Sequence, residues 1–126
     1  MSDADPQDLP PTEDLVAFLS DPATHGLAAG AVRRVETHGA YVFLAGDDAY
    51  KMKKPIDLGF FDFTTLDKRE TDSRREVTLN RRTAPDIYLG VVAVTREASG
   101  ALALGGTGAP VEWLVHMRRF DETQVL

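Results

Sequence analysis

The segment 64–84 constrains the fold most, because it contains no glycine or proline and is closed by Pro85. Thr64-Thr65-Leu66-Asp67 opens it with capping-box spacing, Thr64 as the cap and Asp67 in place of the usual glutamate. A helix is therefore predicted from there until Pro85 forbids it, the longest in the chain. Strand-like segments lie on both sides. Residues 32–35, 41–45 and 49–53 are separated by Thr37-His38-Gly39 and Gly46-Asp47-Asp48, two tight turns, and read as three antiparallel strands in succession. Residues 87–95 and 111–117 follow the helix. In the last strand Val111, Trp113, Val115 and Met117 alternate with Glu112, Leu114 and His116. Ser99-Gly100 and Gly105-Gly106-Thr107-Gly108 turn the chain around a short piece at 101–104.

Thr12 has the character of an N-cap, with Glu13 and Asp14 in the first turn of a short amphipathic helix that carries Leu15, Val16, Phe18 and Leu19 and ends at Pro22 and Gly26. This order predicts an α+β fold: a five-stranded antiparallel sheet, one long helix packed on it and a short N-terminal helix. Parallel βαβ units would need a helix between each pair of strands. A chain of 126 residues supports one core, assigned to 12–126, while the Asp- and Pro-rich stretch 1–11 has little to bury and reads as a disordered tail. The aromatic run Gly59-Phe60-Phe61-Asp62-Phe63 is expected to pack as a satellite cluster.

Composition removes whole classes of chemistry. There is no cysteine, so disulfides, thiolate metal sites and cysteine nucleophiles are excluded. No apolar stretch has the length of a membrane span and no signal-peptide layout opens the chain, which predicts a cytoplasmic protein without a membrane partner. The net charge of −6 disfavours nucleic acid as a partner. From 51 to 82, however, nine Lys or Arg stand against six Asp or Glu, a local excess of +3 that permits an anion site within an acidic chain. His25, His38 and His116 sit on different elements without ligand spacing, so no metal site is predicted. Gly105 to Gly108 lacks the strand-to-helix setting of a dinucleotide fingerprint, and Trp113 reads as core.

Lys51 and Lys53 are two apart on the third strand, so they share one sheet face while Tyr50 and Met52 share the other. Two neighbouring ammonium groups suit water or an anion between them, and either a charged edge strand or a phosphate site satisfies that. The helix bears on the choice. At 100° per residue the middle of one arc holds Arg69, Ser73, Glu76 and Asn80, which turns Glu76 toward the sheet. A carboxylate there needs a partner, either a strand lysine or, on its own helix, Asn80, Arg69, Arg75 or Arg82. A strand lysine paired with a glutamate of the following helix is the ion pair that positions nucleotide phosphates in protein kinases.

Several segments together resemble a known family. They are Val35-Glu36-Thr37-His38 with Ala40-Tyr41-Val42-Phe43-Leu44, Tyr50-Lys51-Met52-Lys53-Lys54-Pro55, Phe61-Asp62-Phe63-Thr64-Thr65-Leu66, Leu79-Asn80-Arg81-Arg82-Thr83-Ala84-Pro85 and Met117-Arg118-Arg119-Phe120-Asp121. They are similar to a bacterial family of large proteins in which an aminoglycoside-phosphotransferase-like domain precedes a P-loop ATPase or kinase domain. The resemblance implies a protein-kinase-like small lobe that binds ATP with magnesium. It places the phosphate-contacting lysine at Lys53 or Lys51, with Lys53 favoured, and the pairing carboxylate at Glu76. Thr37, His38 and Gly39 fall where the phosphate-covering loop belongs, with a single glycine in place of several. Met117, Arg118 and Arg119 fall where backbone groups hydrogen-bond adenine. The catalytic Asp, the metal ligands and the P-loop of such a protein have no counterpart in these 126 residues, so the implied partner is a C-terminal lobe, and with it comes the phosphate acceptor. The alternative is a non-catalytic module that keeps the fold and docks a partner protein through its sheet face or aromatic patch. Oligomeric state has no signal in the sequence.

Overall fold

The computed structural model describes residues 9–59 and 62–119. The tail up to Asp8, Phe60 and Phe61 of the aromatic run, and everything from Phe120 onward lie outside those residues. The elements in chain order are helix α1 (Thr12–Ser20), a 3-10 turn (Pro22–His25), strands β1 (Val32–Glu36), β2 (Ala40–Ala45) and β3 (Asp48–Lys53), helix α2 (Leu66–Asn80), and strands β4 (Tyr88–Arg96), β5 (Leu102–Leu104) and β6 (Ala109–Arg118). All pairings are antiparallel in the order β1-β2-β3-β6-β4-β5. The α+β class holds, but the sheet has six strands where five were expected. The sixth is β5, whose three residues Leu102, Ala103 and Leu104 pair back onto β4 and are too few to display an alternation of their own.

Both faces of the sheet are covered. On one side Leu15, Val16 and Leu19 of α1 pack with Phe43, Met52, Val94, Val111 and Leu114 in the main core. Fully burying each large apolar side chain there contributes roughly 1.5–3 kcal/mol. On the other side α2 covers Ala49, Val115 and Met117 with Val77. Two covered faces explain why Leu114 is buried although the alternation set it with Glu112 and His116 on the polar side. The alternation is broken as well. Val94 pairs with Glu112 but Thr95 pairs with Pro110, which leaves Val111 as an extra residue and places Val111 and Glu112 in the interior side by side.

The β2–β3 hairpin closes through Gly46 and Asp47, and Gly46 supplies the positive φ of 61° that a two-residue turn needs. The helix boundaries differ from expectation by a residue or more. Thr65, not Thr64, caps α2 by accepting from the Lys68 N–H at 3.2 Å, a contact that contributes about 1 kcal/mol. Thr64 is engaged elsewhere, donating from its N–H and hydroxyl to Asp62. The helix closes at Asn80, whose carbonyl accepts from Thr83 and Ala84, several residues short of Pro85. Thr12 is the first helical residue of α1, preceded by Pro11 without any side-chain cap.

The face that α2 buries, Leu66, Arg69, Ser73 and Val77, follows helical spacing but is only half apolar. Ions complete its attachment. Arg69 Nε donates to both oxygens of the Glu112 carboxylate at 3.1 Å and its Nη1 to the Phe63 carbonyl at 2.9 Å, which ties the start of α2 to β6 and to the loop before it. Glu112 also accepts from the Trp113 N–H at 2.9 Å. Burial pushes its carboxyl above the ordinary range, against the pull of Arg69 and of that N–H. The Arg74 guanidinium sits 5.0 Å from the centre of the Trp113 ring, a second cationic contact between α2 and β6.

Candidate functional site

Strand pleating puts Lys51 and Lys53 beside Ala49 on the α2 side, with Tyr50 and Met52 on the α1 side. Helical phase points Glu76 back at them. Its carboxylate accepts from Lys53 Nζ at 2.6 Å and from Lys51 Nζ at 3.1 Å, across 23 and 25 positions of sequence. Of the competing partners on its own helix, Arg69 is bound to Glu112, and the Asn80 amide donates to the Glu76 backbone carbonyl. Asp72, one turn before Glu76, adds a second carboxylate at 3.1 Å from Lys53. Lys53 is almost wholly buried, at 4% exposure, whereas the Lys51 side chain is 32% exposed.

These side chains line a cleft of about 300 Å³ together with Thr37, Gly39, Ala40 and Phe63. The β1–β2 turn forms one rim, held by the Thr37 N–H to the Ala40 carbonyl at 2.8 Å and by the Lys54 N–H to the Gly39 carbonyl at 2.8 Å. His38 is exposed at the tip of that turn and does not line the cleft. Beyond the cleft the same sheet face continues as a cross-strand row of Val35, Val42, Lys51, Val115 and Val91, in which Lys51 is the lone charge.

Met117, Arg118 and Arg119 lie at the other end of β3, where Asp48 pairs with Arg118, five residues or about 16 Å along the strand from Lys53. The structure does not bring them to the lysines. It also engages their donors: the Arg118 N–H goes to the Ile87 carbonyl at 2.8 Å and the Arg119 N–H to the Asp47 carbonyl at 2.7 Å. His25 and His116 are on the opposite face, flanking the Tyr50 ring at 5.4 and 4.7 Å, with His116 bonded to Asp48 at 2.9 Å. Among the described residues no three His, Asp or Glu side chains converge as a metal site.

Burial works to raise the Glu76 pKa, but the hydrogen bond from Lys53 and the charges of Lys51 and Lys53 outweigh it and hold the carboxyl below its ordinary value of 4.5. With the folded value below the unfolded one, the stability this group contributes is complete above 4.5 and is lost as pH falls through the lower folded value. Thermal melts taken downward from about pH 6 are expected to show that loss, with a shallower fall for Glu76→Gln. Equal acid dependence of the two proteins would contradict the pairing.

Asp72 and the Arg69–Glu112 pair are the site and support residues that sequence reasoning missed. Asp72 had a signal, since four residues separate it from Glu76 and put both on one helix face. Glu112 had none.

Relatives exist in mycobacteria. The chain is 43% identical over 91 residues to an uncharacterized protein of Mycobacterium tuberculosis, Rv2004c, and to one of Mycobacterium bovis, Mb2027c. The match takes in 72% of this chain and 16% of each relative, so the chain spans a small part of the proteins it resembles. No family model matches the chain. No solved structure matches it either.

Proposed function

We propose that this chain is the nucleotide-facing small lobe of an ATP-dependent phosphotransferase of the aminoglycoside-phosphotransferase type, which transfers the γ-phosphate to a small-molecule hydroxyl when joined to a larger lobe. The observation that carries the reading is the 2.6 Å pair between Lys53 of β3 and Glu76 of α2, set in a cleft rimmed by the β1–β2 turn. Turn, lysine strand and glutamate helix follow one another in the same order as in protein kinases, where the pair holds the phosphates. Glu76 orients Lys53, and Lys51, more exposed and with one ion pair, is the second cation for a chain of phosphates. Val35 and Val42 of the apolar row, partly exposed beside Lys51, offer a surface for a base. The N–H groups of Arg118 and Arg119 are already bonded, so base contacts from this segment fall to carbonyls or to residues beyond 119.

The cleft does not fit magnesium: both of its carboxylates lie within 3.1 Å of the Lys53 ammonium, which competes for the oxygens a divalent cation needs. The proposal leaves the metal, the catalytic Asp and the acceptor to the larger lobe. Among the described residues Leu79 is the large apolar side chain that stands exposed, and Phe60 and Phe61 of the aromatic run, on which the partner-docking alternative rests, lie outside them.

Calorimetric titration of ATP and, separately, adenosine tests the reading. Saturable binding of ATP, tighter than adenosine, is expected. Equal affinity for the two would mean that the lysines do nothing for the phosphates, and the proposal would fall.

A further inference from the structure

Resting on that reading of the cleft, the geometry around Lys53 carries a second step. An ammonium group has three N–H donors. Around Lys53 Nζ the Glu76 carboxylate lies at 2.6 Å, the Asp72 carboxylate at 3.1 Å and the Phe63 ring centre at 5.4 Å. Three neighbours and near-complete burial leave no open side, so a phosphate oxygen reaches this lysine only by taking the place of one of them.

We propose that Asp72 is a counter-ion latch: phosphates enter the cleft by exchanging with its carboxylate on Lys53. Asp72 is the neighbour that yields, for three reasons. Its contact is the longer of the two ion pairs and, unlike Glu76, it is not held by Lys51. Its side chain is the more exposed, at 21% against 15%. It also has somewhere to go. Asp72 and Phe63 are the shared wall between the cleft and a second groove of about 290 Å³ along α2, and that groove contains Lys68 and Arg75. Arg75 sits three residues after Asp72, a helical spacing at which side chains meet, whereas Lys68, four residues before it, is already paired with Asp62. A released carboxylate therefore swings from Lys53 to Arg75 without entering water alone.

The latch selects for charge. Lys51 and Lys53 are balanced by Asp72 and Glu76, so the closed site is neutral and gives a weak anion little to gain. A di- or triphosphate carries enough charge to displace one carboxylate, whereas a nucleoside gains nothing from the exchange.

The test compares the wild-type chain with Asp72→Asn and Asp72→Ala, titrated with ATP, inorganic tripolyphosphate and adenosine. Both variants are expected to bind ATP and tripolyphosphate about tenfold more tightly, with adenosine unchanged. Unchanged or weaker ATP binding by the variants, while Lys53→Ala still weakens it about 100-fold, overturns the latch and leaves the phosphate site standing. No binding of ATP or tripolyphosphate by any of the proteins overturns both. If the variants fail to fold, the carboxyl carbon NMR signal of Asp72 in the wild-type chain decides. It shifts on addition of tripolyphosphate if the carboxylate is displaced, and a stationary signal refutes displacement.

Discussion

Replacing Arg69 by alanine is expected to destabilise the protein by about 3–5 kcal/mol, the largest effect of any single substitution in the sheet-facing side of α2. Arg69 and Glu112 are both almost completely buried, and removing the guanidinium leaves a carboxylate that no other side chain among the described residues pairs with. The loss is more than one ion pair, because the same guanidinium ties the Phe63 carbonyl to the helix start. For a domain of this size the melting midpoint is expected to fall by roughly 10–20 °C. Substituting both partners, Arg69→Met with Glu112→Leu, is expected to recover most of that loss, since a buried pair exchanged for apolar groups of similar volume is often neutral. A single variant that melts with the wild type would show that α2 is held by its apolar contacts alone.

The second large effect is on binding. Lys53→Ala is expected to weaken ATP about 100-fold and Lys51→Ala about tenfold, read by calorimetry. The two lysines differ because their surroundings differ. Removing Lys53 deletes a cation and also leaves Glu76 and Asp72 facing the phosphates with their negative charge less compensated. Removing Lys51 deletes a cation whose partner keeps its shorter bond to Lys53. Equal losses for the two variants would contradict this division of labour.

Both substitutions act through helix α2, and what the sequence foretold about that helix follows from the range of each interaction. The lysine pair was legible because strand pleating acts over two residues, and Glu76 because helical phase acts over a few turns. Asp72 shares that phase but was missed, since nothing local separates it from a solvated helix acid. The Arg69–Glu112 pair joins residues 43 apart, on a strand whose simple alternation is interrupted at Val111, and nothing local announces either fact. The choice between Thr64 and Thr65 as the cap depended on Asp62 engaging Thr64 first. The fate of the Arg118 and Arg119 N–H groups depended on the Ile87 and Asp47 carbonyls arriving from other parts of the fold. Strand β5 went uncounted because three residues cannot establish a period. The face that carries the chemistry was thus readable from local rules, while the contacts that lock it in place needed tertiary structure.

In the proposed function Lys53, held by Glu76, meets the phosphates of a nucleotide with Lys51 beside it. The side-chain NMR signals of specifically labelled lysines, followed during an ATP titration of the intact chain, address it most directly. The Lys53 and Lys51 signals are expected to move together and saturate at the calorimetric midpoint, while Lys54, paired with Glu36, and Lys68, paired with Asp62, keep their positions. Saturable ATP binding with the Lys53 and Lys51 signals unmoved would contradict it.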